Sequence, residues 1–187
     1  MKKSIILLII SLVALCIPMQ AQHLKFMDIP LTGTITQFQN KLAAKGVKYD
    51  KSLSQELPAG TRAFKGTFAG EKADIYIYYD PTTKIVHRAK AVITYSLEST
   101  RESKYEEFKF MLSSKYNAFE QSEYEDGHEV NNYVIAKDGA TSIDDIIGYI
   151  SIYVTDYSLI YDNYLLHIEY ADHQNSKKSE ESKMKDL

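Results

Sequence analysis

Cysteine occurs once in the 187 residues, at Cys16, and tryptophan not at all; Pro is used four times and Gly eight. The one cysteine lies in a leader, so the rest of the chain has neither a disulfide framework nor a thiolate site, and its stability must come from a core. No Ser sits in a GxSxG pattern, no Gly-rich loop cradles a phosphate, and no HExxH or comparable ligand spacing is present. Nucleophilic catalysis, nucleotide binding and a zinc site therefore have no visible starting point, and no cofactor is expected. Long apolar runs are absent beyond the first residues, which excludes a membrane-spanning helix in the remainder.

Those first residues read as a secretory signal peptide over 1–21. Lys2-Lys3 precede an apolar run from Ile5 to Leu15, and Pro18 and the small Ala21 follow. The run is shorter than the roughly 20 residues a bilayer span needs. Leu15 stands before Cys16 where a lipobox wants Gly, Ala or Ser, which weighs against a lipid anchor at Cys16. Secretion or release into a periplasm after cleavage near Ala21 is the expectation. Without Lys2 and Lys3, 20 basic residues face 25 acidic ones, a net charge of −5. That balance argues against nucleic acid, which calls for a basic stripe.

Phe64 to Tyr95 carries the strongest pattern, three consecutive antiparallel strands. Ala73 to Tyr79 is dense in Ile and Tyr, Ile85 to Tyr95 alternates apolar with polar, and Asp80-Pro81-Thr82-Thr83 between them is turn chemistry. Before it, Thr34 and Gln37 stand at capping-box spacing, with Ile35, Phe38 and Leu42 on one helical face until Gly46. Val47 to Gly60 reads as a loop or a short helical turn. Seventy residues on, Tyr105, Phe108 and Leu112 repeat the face, Ser103 and Glu106 repeat the capping box, and strand-like runs follow at Asn132 to Ala136, Tyr149 to Thr155 and Tyr164 to Tyr170. The expected fold is α+β in two similar halves, 22–97 and 98–173, each a helix packed on a small antiparallel sheet in the order helix-strand-strand-strand. Residues 174–187, lacking an apolar face, read as a disordered charged tail.

The segments FMDIPLTGTITQFQNKLAAKG, FKGTFAG and YEEFKFMLSSKYN resemble uncharacterised secreted proteins of Bacteroidetes. That resemblance implies an extracytoplasmic location and carries no catalytic residues. In architecture, a tandem repeat of helical segment plus antiparallel sheet is similar to the beta-lactamase inhibitor protein fold, although that inhibitor's disulfides and its additional strand per repeat have no counterpart in this pattern. Shared architecture carries no function with it.

Among candidate site residues, His87 is in phase with Ile85, Ala89 and Ile93, whereas His167 is out of phase with Leu166 and Ile168; the two are expected on opposite faces, with no shared metal site. Asp144, Asp145, Asp156, Asp162 and Asp172 gather in or beside second-half loops, where acids could serve an envelope hydrolase acting on glycans or simply cap and solvate. What is unusual is tyrosine: 15 in all, eight of them between Tyr124 and Tyr170. If Ile75, Ile77, Ile150 and Ile152 are core, then Tyr76, Tyr78, Tyr149 and Tyr153 face outward with Arg88, Lys90 and His167, and Tyr157 and Tyr161 border them from a loop; the opposite register would bury them. The balance is against an enzyme and toward a module that binds an extracytoplasmic protein, with the hydrolase as the alternative.

Overall fold

A computed structural model describes residues 22–116, 119–125, 128–157 and 163–184. Eight strands make one continuous antiparallel sheet: β3 (Lys48–Asp50), β4 (Thr61–Phe68), β5 (Glu71–Tyr79), β6 (Val86–Tyr95), β7 (Phe119–Glu125), β8 (His128–Ala136), β9 (Ile146–Tyr157) and β10 (Asn163–Asp172). The spatial order is β3-β4-β5-β6-β10-β9-β8-β7. It reads inward in sequence order from each edge to a seam where β6 pairs with β10, Leu166 opposite Ile93 and Ile168 opposite Ala91. A separate small ribbon, β1 (Lys25–Phe26) with β2 (Ile29–Pro30), precedes the first helix.

Helices α1 (Ile35–Ala44) and α3 (Glu98–Lys115) bury Ile35, Phe38 and Leu42, and Tyr105, Phe108 and Leu112. The partners are the alternate strand residues Ile75, Ile77, Ala89, Ala91, Ile93, Ile150, Ile152, Leu166 and Ile168. Burying one such Leu, Ile or Phe contributes about 1.5–3 kcal/mol, so this face is where the sheet gains its stability. Thr34 caps α1 with the expected reciprocal pair, Gln37 N to Thr34 Oγ1 and Thr34 N to Gln37 Oε1.

Several local expectations are corrected. Of the two readings of 47–60 the short helical turn holds and the loop does not, and a strand precedes it: β3 occupies Lys48–Asp50, and Asp50 caps α2 (Lys51–Glu56) by accepting from Leu53 N at 3.0 Å. Ser54 Oγ accepts from the backbone N of Ala63 at 2.8 Å, so α2 continues the cover of β4's edge where β3 stops. Helix α3 begins at Glu98, placing Ser103 and Glu106 inside it rather than at a cap. The extra turn is held by Arg101, 3% exposed, which pairs with Glu102 at 2.6 Å and lies over the Tyr164 ring at 5.4 Å. The span 118–131 is largely the β7–β8 hairpin, and the run expected from Asn132 starts at His128. Each side of the seam thus has four strands, not three.

The largest correction concerns the tail. Helix α4 spans His173–Met184, all but its first residue within the stretch expected to be disordered. It holds without an apolar face because its buried side is polar and satisfied. Asp172 accepts from Asn175 N at 3.0 Å, Asn175 Nδ2 donates to the carbonyls of Leu31 (2.8 Å) and Val86 (3.3 Å), and Ser179 reaches Asp80.

Candidate functional site

Because side chains alternate along a strand, the register decides which residues share a face. Opposite the helices, it lays down three rows across the sheet. Tyr78, Arg88, Ala171, Tyr149 and Val134 form the first; Tyr76, Lys90, Glu169, Ser151 and Asn132 the second; Asp74, Val92, His167, Tyr153 and Val130 the third. Tyr76, Tyr78, Arg88, Lys90, Tyr149, Tyr153 and His167 are therefore neighbours on one surface. Tyr157 ends β9, and its side chain lies outside the described residues, as does the whole of Tyr161. All but one of the named seven are half-buried, as befits long side chains lying on the sheet face that neither α1 nor α3 covers; His167 is 8% exposed.

Specific contacts tie the rows together. The Arg88 guanidinium lies 4.0 Å from the centre of the Tyr78 ring and donates to Glu169 Oε1 at 3.1 Å. Its Nε is buried and has no acceptor among the described residues. Lys90 Nζ stands 6.0 Å from the Tyr76 ring, and burial together with the neighbouring Arg88 lowers its pKa against the pull of Glu169. Burial raises the Tyr78 hydroxyl's pKa, helped by Glu169. Tyr153 stacks flat on His167, rings 4.6 Å apart and 2° from parallel, while His167 Nε2 and Thr155 Oγ1 are 2.8 Å apart. The face is thus an aromatic surface pinned by cations, rigid enough to present Tyr hydroxyls at fixed positions.

At one end the face runs into a cleft of about 610 Å³ between the sheet and α4. Ala171 leaves the floor low between Arg88 and Tyr149, and His173 and Lys177 of α4 form the far wall, with His173 edge-on to Tyr149 at 6.0 Å. His87 lines the same cleft, not the core: a register shift between Tyr78 and Tyr79 puts buried Val86 on the helix side and moves His87 out of phase with Ala89. Sequence reading missed this cleft because it missed α4; the i,i+4 pair Asn175 and Ser179 behind a capping Asp172 was the available signal. A larger cavity of about 810 Å³, between the N-terminal segment and the end of α3, shares no residue with the face.

Among the described residues the second-half acids do not converge. Asp145 closes a 3₁₀ turn (Ile143–Asp145), accepting from Thr141 N, Ser142 N and Ser142 Oγ, bonds that hold its pKa low. Asp172 is fully buried and accepts from Leu24 N and His23 Nδ1, both at 3.0 Å, besides capping α4. Asp144 sits exposed at the cleft, while the Asp156 side chain and Asp162 lie outside the described residues. Among the described residues no group of three or more His, Cys, Asp or Glu is placed to hold a metal ion, and no helix is long and apolar enough to cross a membrane. No protein-family model matches the chain, and neither curated proteins nor solved structures show significant similarity to it.

Proposed function

We propose that the chain is a non-enzymatic, extracytoplasmic binding module that recognises a protein through the tyrosine-bearing face of its sheet, with second-half loops at the border. The observation that carries this reading is the set of rows Tyr78–Arg88–Ala171–Tyr149 and Tyr76–Lys90–Glu169, on the face that α1 and α3 leave bare. Tyr and Arg supply large, rigid contact area with polar tips, the composition in which binding energy concentrates at protein interfaces. The extracytoplasmic part rests on the signal-peptide pattern of the sequence over 1–21, and an internal duplication of the chain draws support from the strand order, which mirrors about the β6–β10 seam.

The test is affinity capture from cell-envelope extracts with residues 22–187, beside a variant with Tyr76, Tyr78, Tyr149 and Tyr153 all changed to Ser and shown by circular dichroism to remain folded. The expected result is a specific protein retained by the parent and lost by the variant. Equal capture by both would remove the face as the site.

A further inference from the structure

Charge on the bare face is unevenly spent. From β3 to β6 and on to β10, the register gives the face Lys48, Lys65, Lys72, Arg88 and Lys90 against Asp50, Asp74 and Glu169. Each acid already has a cation: Asp74 and Asp50 meet Lys65 at 2.6 and 3.8 Å, and Glu169 meets Arg88 at 3.1 Å. Lys48, Lys72 and Lys90 have no carboxylate within 4.0 Å among the described residues. A chain that is acidic as a whole thus turns a cationic half-face outward.

Lys90 stands apart from the other two lysines. They are exposed, whereas Lys90 is half-buried between Tyr76 and Glu169, its direct cross-strand neighbours. Glu169 is the natural partner for it and is turned to Arg88 instead. An ammonium that has already lost part of its hydration and has no carboxylate in contact gains most from one brought to it, because the field there is less screened than at the rim.

We infer that the partner meets this half of the face with an acidic polypeptide segment, one carboxylate of which seats on Lys90 beside the Tyr76 ring. This rests on the protein-binding reading above and narrows it to a partner of one charge sign, engaged on the β5–β6–β10 side. Lys48 and Lys72 steer the segment from the rim, where their contribution falls with salt.

The probe is acetyl-hexaglutamate amide, titrated into ¹⁵N-labelled residues 22–187 at low and physiological salt, with hexaglutamine and the hexanucleotide dT6 as controls. Expected are amide shifts at Tyr76, Lys90 and Glu169 that weaken with salt, affinity about tenfold lower in Lys90→Met, and no change in Lys177→Met on α4. Absence of shifts, shifts confined to Lys177 and Lys178, equal binding by Lys90→Met, or tighter binding of dT6 at the same residues would each overturn the inference. It fails separately from the broader reading. If the Tyr→Ser variant loses its captured protein and Lys90→Met keeps it, the face still binds and the acidic anchor is wrong.

Discussion

Replacing Asp80 should cost more stability than its place in a surface turn implies. The residue follows the last residue of β5, is 3% exposed, and gathers four donors. Oδ1 accepts from Thr82 N (3.0 Å), Thr83 N (2.6 Å) and Thr83 Oγ1 (2.9 Å), and Oδ2 accepts from Ser179 Oγ of α4 at 3.4 Å. A hydrogen bond to a charged acceptor contributes about 1.5–3 kcal/mol net, but three on one oxygen do not add, and the exposed Thr82 and Thr83 amides can be rehydrated. For Asp80→Ala a loss of about 3 kcal/mol is expected. Asp80→Asn keeps an acceptor without the charge and should lose about 1–1.5 kcal/mol; Ser179→Ala, which removes only the long contact, about 0.5 kcal/mol. Urea unfolding followed by far-ultraviolet circular dichroism measures all three, and it suits a chain without tryptophan. The pH dependence gives a second reading. Burial opposes the Asp80 charge, yet the bonds from Thr83, Thr82 and Ser179 outweigh it and hold its pKa below the usual carboxylate range. A lowered folded-state value means that the carboxylate stabilises fully above its unfolded pKa of about 4 and that this gain disappears as pH falls through the folded value. The gap between parent and Asp80→Asn should therefore be constant from neutral pH to about 5 and narrow below about 4. An Asp80→Ala variant within about 0.5 kcal/mol of the parent, or a gap that does not narrow in acid, would refute the reasoning.

Gly148 pairs with Asp172 at the start of β9, and a Cβ there would run into the carbonyl oxygen of Ala171 and lie 3.1 Å from Leu24 Cδ2. A backbone oxygen cannot move aside without opening the β9–β10 ladder, so Gly148→Ala should cost about 2–3 kcal/mol and lower Tm by roughly 5–10 °C; a melt within about 2 °C of the parent would contradict the packing at that strand. Spectrophotometric titration at alkaline pH should separate the tyrosines into classes. Burial raises Tyr95 and Tyr105 to about 12 and pushes Tyr170 up as well. Groups raised on folding stabilise below their unfolded pKa, so stability should fall as pH climbs from about 10 toward 12. Ionisation of every tyrosine in one step near 10 with native circular dichroism would mean that these three are not in the core.

Where one physical rule dominates a segment, the sequence was legible. The i, i+3, i+7 faces of Ile35, Phe38 and Leu42 and of Tyr105, Phe108 and Leu112 pack as their spacing requires, and period-2 alternation around Ile75, Ile77, Ile150 and Ile152 put Tyr76, Tyr78, Tyr149 and Tyr153 on the other face. Reading failed where polar groups do the packing. Helix α4 buries Asn175 and Ser179, and the first turn of α3 buries Arg101, so neither shows an apolar stripe. The short β3 and the polar edge strand β7, FEQSEYE, offer too little alternation to stand out. His87 was misplaced because a single bulge inverts phase without a mark in composition. For the site, membership of the face was legible but its charge balance was not: Arg88 and Glu169 lie 81 positions apart, and only the seam tells which lysine Glu169 leaves alone.

The meeting of His23 with Asp172, 149 positions apart, makes the described chain nearly a closed ring. Its sheet is made of hairpins between sequence neighbours, each able to zip as soon as its two strands exist, except at one place. The β6–β10 ladder joins Tyr95 to Tyr164 and Arg88 to Ala171, and the His23–Asp172 contact closes over the same end. Loop entropy must be overcome there before any contact returns it. Connectivity favours one order of assembly: two meanders first, the seam between them next, and the N-terminal segment last, latched by a carboxylate that arrives only with the final strand. The continuous face carrying Lys90 and Glu169 side by side does not exist until that seam has closed.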